Sequence, residues 1–317
     1  MKKVLVCGAT GFIGRNAVER LARRDDLEVH AVRFNRPEYQ VRGVTWHRAD
    51  LREVDAVNEL VTGMDVIVQA AATTSGAKDI VSRPYIHVTD NAVMNSLLLR
   101  AAFDHRVGHF VFFSCSVMLQ SRDTPWDEDG FHGEIHPRYF GVGWTKVYVE
   151  KMCEFFARLG ATRHTVFRHS NIYGPHDKYD LERSHVFGAT VTKTMTAKDG
   201  KLVVWGTGEE ARDLLYVDDM VNAVEHAIDR QSEPFQLYNI GSGRGVTIKE
   251  LVNKIVDASG KNLKIEHDLS QPTIKSSVTL DYSKAKTELG WEPKVSLDEG
   301  IVRTIDWWKT HFTSSSR

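Results

Sequence analysis

Short apolar, β-branched runs alternate with helix-like stretches through the first half of the chain. Val4–Cys7 reads as a strand, and Gly11–Arg23 as a helix with Ile13, Ala17, Val18 and Leu21 on one face. Glu28–Val32, Val44–His47, Asp65–Gln69, His109–Phe113 and Thr165–Arg168 read as further strands, with helices over Val54–Leu60, Val88–Phe103 and Phe140–Leu159. Strands apolar on both faces and separated by helices predict an α/β fold built on a doubly wound parallel sheet. Beyond about residue 170, Pro175, Gly188, Gly200, Gly206, Gly208, Gly241, Gly243 and Gly245 cut the chain into shorter elements. The expected organisation is a dinucleotide-binding domain over 1–170, to which segments near 213–242 return. A smaller α/β substrate lobe takes most of 171–317, and the Ser314–Arg317 tail is expected to fray.

Composition narrows the function classes. The 317 residues carry 41 basic and 42 acidic side chains, a net charge of −1. That balance gives no general attraction to nucleic acid or anionic lipid. Cys7, Cys115 and Cys153 form no CxxC pair, so neither a disulfide framework nor a structural metal is expected. Val4–Cys7 is too short for a signal-peptide core, and no run approaches the ~20 apolar residues of a membrane span. The sequence reads as a cytoplasmic protein.

The chemistry begins in the turn after the first strand, Gly8-Ala9-Thr10-Gly11-Phe12-Ile13-Gly14. Gly8 and Gly11 permit a tight turn and close approach of backbone amides to a pyrophosphate. Gly14 lets the following helix pack closely on the strand, and the helix N-terminus offers free N–H groups. After the second strand stand Arg33, Phe34, Asn35 and Arg36, with no carboxylate before Glu38. Guanidinium groups there suit a 2′-phosphate, so NADP(H) is favoured and NAD(H) remains possible. Asp50 and Leu51 after the third strand are expected beside the adenine. Ala70, Ala71 and Ala72 after the fourth are small enough for a cofactor to lie against backbone.

GATGFIG, the alanine run, a serine-bearing strand end, a helix lysine and Asn171-Ile172-Tyr173-Gly174-Pro175 together resemble the extended short-chain dehydrogenase/reductases acting on nucleotide sugars. The likeness covers nearly the whole chain. It is closest to members acting on GDP-4-keto-6-deoxy sugars, through Asn171–Val186, Val203–Asp219 and Tyr238–Gly243. The resemblance implies hydride transfer at a sugar carbon. A tyrosine carries the proton, a lysine four residues later lowers its pKa, and a serine orients the oxygen. Lys146 matches the lysine and Ser114 the serine, but Val142 stands where the tyrosine belongs. A substituted acid/base, Tyr139 acting from seven residues before Lys146 on one helix face, and a water relayed through Ser114 are the alternatives. A silenced, cofactor-binding protein is the remaining one.

The resemblance further implies an epimerising Cys–His pair. His185 matches the histidine, whereas Ser116 holds the cysteine position, with Cys115 one residue earlier on the opposite strand face. Simple ketone reduction or a single epimerisation is therefore expected before a double one. A dehydratase would want a carboxylate after the strand-end serine, and Ser116-Val117 offers none. Asn171, His185, Val186, Lys193, Trp205 and Arg212 fall at substrate-contacting positions and suit a nucleotide diphosphate-sugar. Gln271-Pro272-Thr273-Ile274-Lys275 lacks the basic pair common in the GDP-sugar members, which keeps CDP-, UDP- and dTDP-sugars open. Asn91 and Asn95 either bond backbone behind the site or face solvent. Leu97, Leu98, Ala101, Ala102, Val147, Val149 and Met152 read as core or as the seam of a homodimer.

Overall fold

In the computed structural model the described residues are 1–73, 83–181, 184–270 and 277–312. The expectations for Gln271–Lys275 and for the Ser314–Arg317 tail lie outside them.

The hydrophobic runs become seven parallel strands: β1 (Lys2–Cys7), β2 (Leu27–Arg33), β3 (Val44–Arg48), β4 (Val66–Gln69), β5 (His109–Phe113), β6 (Arg163–His169) and β10 (Phe235–Ile240), in the spatial order β10-β6-β5-β4-β1-β2-β3. That is the doubly wound order with one strand added beside β6. β6 runs one residue past its expected end, to His169.

Helices cover both faces because both faces are apolar. α1 (Phe12–Leu21) and α6 (Val217–Arg230) share one buried layer, with Val18, Leu21, Met220 and Val224 against Val4, Val6 and Val111. On the other face, α2 (Val54–Val61), α3 (Thr89–Asp104) and α4 (Phe140–Leu159) bury Leu60, Leu98, Val149 and Cys153 against Leu5, Ile67 and Phe112. Leu98, Ala101, Ala102, Val147 and Val149 are therefore core, and Leu97 and Met152 pack partly buried against it.

The second lobe holds two small sheets. β7 (Asn171–Tyr173), β9 (Ala211–Tyr216) and β11 (Gly245–Thr247) form one, in the order β11-β9-β7. β8 (Lys201–Trp205) pairs in parallel with β12 (Lys264–Asp268) in the other. Around them lie α5 (Val186–Thr196), α7 (Ile248–Ser259) and α9 (Leu297–Phe312), while α8 (Ser283–Leu289) buries Ala285 and Leu289 in the main-sheet layer of α1 and α6. Among the described residues, no helix is long and apolar enough to cross a membrane, and no three acidic, His or Cys side chains gather into a metal site.

Candidate active site

The glycine turn closes on itself: the Gly11 amide donates to the Gly8 carbonyl at 2.8 Å. Gly8 has a positive φ of 72°, and a Cβ there would meet the Ala71 backbone at 2.6 Å. A Cβ on Gly14 would lie 2.2 Å from the Gly8 carbonyl oxygen, so α1 starts closer to β1 than any side chain allows. Gly11 caps α1 with extended backbone and no side-chain bond, and no acidic residue stands in the first turn. The helix end with Phe12 and Ile13 therefore keeps its donors and partial positive charge for an anion. These residues fit a dinucleotide pyrophosphate.

Arg36 donates to the Thr10 carbonyl at 3.2 Å, which brings a guanidinium onto the loop from the end of β2. Arg33 lies 3.7 Å from Glu38. Asp50 is held by the backbone and guanidinium of Arg52, which depress its pKa. Leu51 is core, in the layer with Val32 and Val57. Ala72 is exposed at the end of β4, while Ala70 and Ala71 pack beneath the loop.

Behind this edge the two asparagines bond backbone and are buried. Asn91 takes the Thr73 amide at 2.9 Å and gives to the carbonyls of Thr73 and His87. Asn95 accepts from Gln69 at 3.0 Å.

The strand-end serine departs from expectation. Ser114 is 0% exposed, and its hydroxyl donates to Oε1 of Glu150 at 2.5 Å. Glu150 also takes Arg168 at 2.7 Å in a buried ion pair. Strand alternation explains it: Phe112 and Ser114 face α4, where a carboxylate four residues beyond Lys146 awaits the hydroxyl. A free substrate-facing hydroxyl at Ser114 is thus not what the fold provides. Ser116, just past the strand, is half-buried, and its carbonyl accepts from Leu119 in a turn.

Lys146 stands on α4 and donates from Nζ to the Phe113 carbonyl at 2.7 Å. Burial lowers its pKa, while Cys115 and Glu150 oppose that as neighbouring acids. Val142, half-buried one turn earlier, brings no proton. Tyr139 does not share the Lys146 helix face. It belongs to a 3₁₀ turn, Pro137–Tyr139, so the seven-residue helical spacing does not apply. Its hydroxyl lies in electrostatic reach of Arg212 from the second lobe.

That lobe supplies an exposed indole and two cations. Trp205 is 52% exposed at the end of β8, and Lys193 Nζ stands 5.1 Å from its ring while donating to the Val203 carbonyl. Arg212 is half-buried on β9, with burial pulling its pKa down. Asp213 accepts from Ser242 and Leu280, Asp218 from Arg303, and Asp219 from Lys294 and Val295. Asn171 ties β7 to the Asp213 carbonyl. His185 caps α5, exposed, and Val186 opens that helix partly buried in the lobe's core.

The NAD dependent epimerase/dehydratase family model matches residues 4–241. The chain belongs to that family. Among its relatives, the probable GDP-L-fucose synthase 1 of Oryza sativa subsp. japonica is 34% identical over 79% of this chain and 78% of its own length. A dTDP-4-dehydro-6-deoxy-D-allose reductase of a Streptomyces species is 26% identical over 98% and 97%. The crystal structure of UDP-glucose 4-epimerase from Thermotoga maritima with UDP-glucose superposes with a TM-score of 0.84. It is 27% identical, covering 97% of this chain and 99% of that one. For the family's fold, the expected doubly wound parallel sheet and glycine turn hold, with β10 as a strand beyond the six read from the sequence.

Three site neighbours escaped the sequence reading. Glu150 had a readable signal, its four-residue spacing from Lys146. Tyr39, whose hydroxyl reaches the Ala9 and Arg15 carbonyls at 3.4 Å, had none. His169 had only its place two residues before Asn171.

Proposed function

We propose that the chain is a pyridine-nucleotide-dependent oxidoreductase or epimerase of a nucleotide-diphospho 4-keto-6-deoxy sugar. NADP(H) and a GDP-sugar are the favoured cofactor and substrate. The observation that carries the reading is Arg36 on the Thr10 carbonyl, a cation fixed beside a loop with no room for a Cβ at Gly8 or Gly14. In this reading the α1 N-terminus and the turn amides hold the pyrophosphate, and Arg36 with Arg33 takes the 2′-phosphate. Lys146 holds the ribose hydroxyls. The bound dinucleotide supplies hydride to, or accepts it from, the sugar carbon. Trp205 covers the base, while Lys193 and Arg212 neutralise the diphosphate, the guanidinium bidentately. His185 stands at the sugar from the cap of α5. The relatives' names support the sugar class, and their three different nucleobases leave the preference for GDP resting on the overall likeness.

A 4-epimerase is the second reading, favoured by the likeness to the Thermotoga maritima enzyme across nearly its whole length. The protein is further proposed to act in the cytoplasm as a homodimer. Val93 on α3 and Trp144, Tyr148, Phe155 and Leu159 on α4 are exposed apolar side chains on adjoining helices, which Ser96 and Tyr148 link at 3.1 Å. A second copy covering that stripe would give a four-helix contact.

Calorimetry with cofactor-free protein tests the central reading. NADPH is expected to bind more tightly than NADH, and GDP more tightly than UDP, CDP or dTDP. No heat with either dinucleotide would end it.

A further inference from the structure

The carboxyl end of β6 carries an imidazole that none of the roles above uses. β5 and β6 pair in parallel with Phe113 opposite Phe167, and both rings enter the same buried layer. His169 lies two residues beyond Phe167, so its side chain leaves the same face about 6.6 Å further along, at the carboxyl edge of the sheet. The Phe113 carbonyl in the adjacent strand is the one that Lys146 grips. His169 is half-buried between two buried neighbours, Arg168 and Ser170. Its Nδ1 donates to the Ser170 carbonyl at 2.7 Å. That bond fixes the tautomer and leaves Nε2 as a lone pair on an oriented ring.

We propose that His169 accepts the sugar hydroxyl proton that Val142 cannot take. The inference rests on the nucleotide-sugar reading above. In the oxidative direction the sugar C–H electron pair leaves as hydride to the oxidised pyridine nucleotide. The O–H bond breaks, its proton joins Nε2, and its electron pair completes the C=O bond. Reduction reverses each movement. Burial pushes the pKa of His169 down to about 4, so the ring is neutral at neutral pH and Nε2 is unprotonated. The charged and titratable groups facing it are Lys146 from α4 and His185 from the cap of α5, with Cys115 beside Lys146 at the end of β5. Both Lys146 and His185 disfavour a second positive charge on it.

The test uses the full chain with NADP⁺ or NADPH and the nucleotide sugar that calorimetry selects. His169→Asn keeps a donor for the Ser170 carbonyl but loses Nε2. Its kcat is expected to fall about 10²–10⁴-fold with KM nearly unchanged, and the acid limb of the pH–rate profile to disappear. In the unliganded protein, nitrogen NMR of labelled histidine should show Nδ1 protonated and Nε2 titrating near the acid limb of the wild type. Val142→Tyr added to His169→Asn should restore turnover, because a phenol one helical turn before Lys146 supplies another proton carrier. An active wild type whose His169→Asn variant keeps its rate and its acid limb overturns the proposal alone. A wild type that turns over no keto- or hydroxy-sugar overturns the parent reading, and this proposal with it.

Discussion

Ser114 and Glu150 form a 2.5 Å hydrogen bond in a part of the fold that excludes water. The same carboxylate carries Arg168, so the serine completes a buried ion pair instead of ending in the cleft. Ser114→Ala should cost about 1–3 kcal/mol of unfolding free energy, because it strips one bond from a buried acceptor. Glu150→Ala should cost about 3–5 kcal/mol, since it strands the Arg168 charge. Urea unfolding measures both. Dinucleotide affinity of the folded Ser114→Ala variant should match the wild type.

Arg36 donates to the Thr10 carbonyl within the glycine turn. Arg36→Ala should weaken NADPH about tenfold, roughly the 1.4 kcal/mol of one lost charge-assisted contact, and leave NADH unchanged. Fluorescence titration of both cofactors reads the difference. Equal losses for the two would remove the 2′-phosphate from the account.

Gly14→Ala places a methyl where the Gly8 carbonyl already sits, at 2.2 Å. Backbone cannot swing aside as a side chain can, so α1 must shift. The expected cost is about 1–3 kcal/mol, with a larger proportional loss of dinucleotide binding. A thermal scan with and without cofactor separates the two effects.

Trp205 and Arg212 belong to substrate binding in this picture. Trp205→Ala and Arg212→Lys should raise KM for the nucleotide sugar about ten- to a hundredfold, with little change in kcat, because both contacts are far from the reacting carbon. A fall in kcat with KM preserved would move either residue to the chemistry.

Acid should destabilise the fold through its buried histidines. Burial drives His109 to about 3 and His164 to about 4, below the ordinary 6.5. As pH falls from 6.5 toward 4, the unfolded chain binds protons that the folded rings refuse, so stability is lost at about 1.4 kcal/mol per pH unit for each ring. Asp177 works the other way: burial raises it to about 7, and its proton is kept by the folded state and released by the unfolded one as pH rises from 3.8. The net slope between pH 6 and 4.5 should therefore still favour the higher pH. Neither ring nitrogen of His164 has a hydrogen-bond partner among the described residues. His164→Phe should raise stability and flatten the slope by one proton, as urea unfolding at several pH values would show.

The glycine turn was fully readable because its chemistry is local: three glycines at fixed spacing after one strand dictate a backbone path. The strands and helices of the first lobe were readable for the same reason, their periodicity being set by a sheet buried on both sides. Lys146 was readable through its motif spacing. The fate of Ser114 was not, since its direction depends on strand alternation and on a carboxylate from another element. Tyr139 was misjudged because helical spacing was applied across a 3₁₀ turn. Of the two readings of Leu97, Leu98, Ala101, Ala102, Val147, Val149 and Met152, core or seam, the structure took the core, as a 3.6-residue period marks faces without saying which one the sheet covers.

What the order of amino acids determined by itself was a parallel sheet, a phosphate-ready turn and an inventory of cations, all products of contacts between near neighbours in the chain. What only tertiary structure decided was the company each side chain keeps: Ser114 with Glu150, Arg36 with Thr10, Tyr139 with Arg212, His169 with Lys146. Those pairings join residues 23 to 73 positions apart, and a proton's path depends on which atoms meet across such distances.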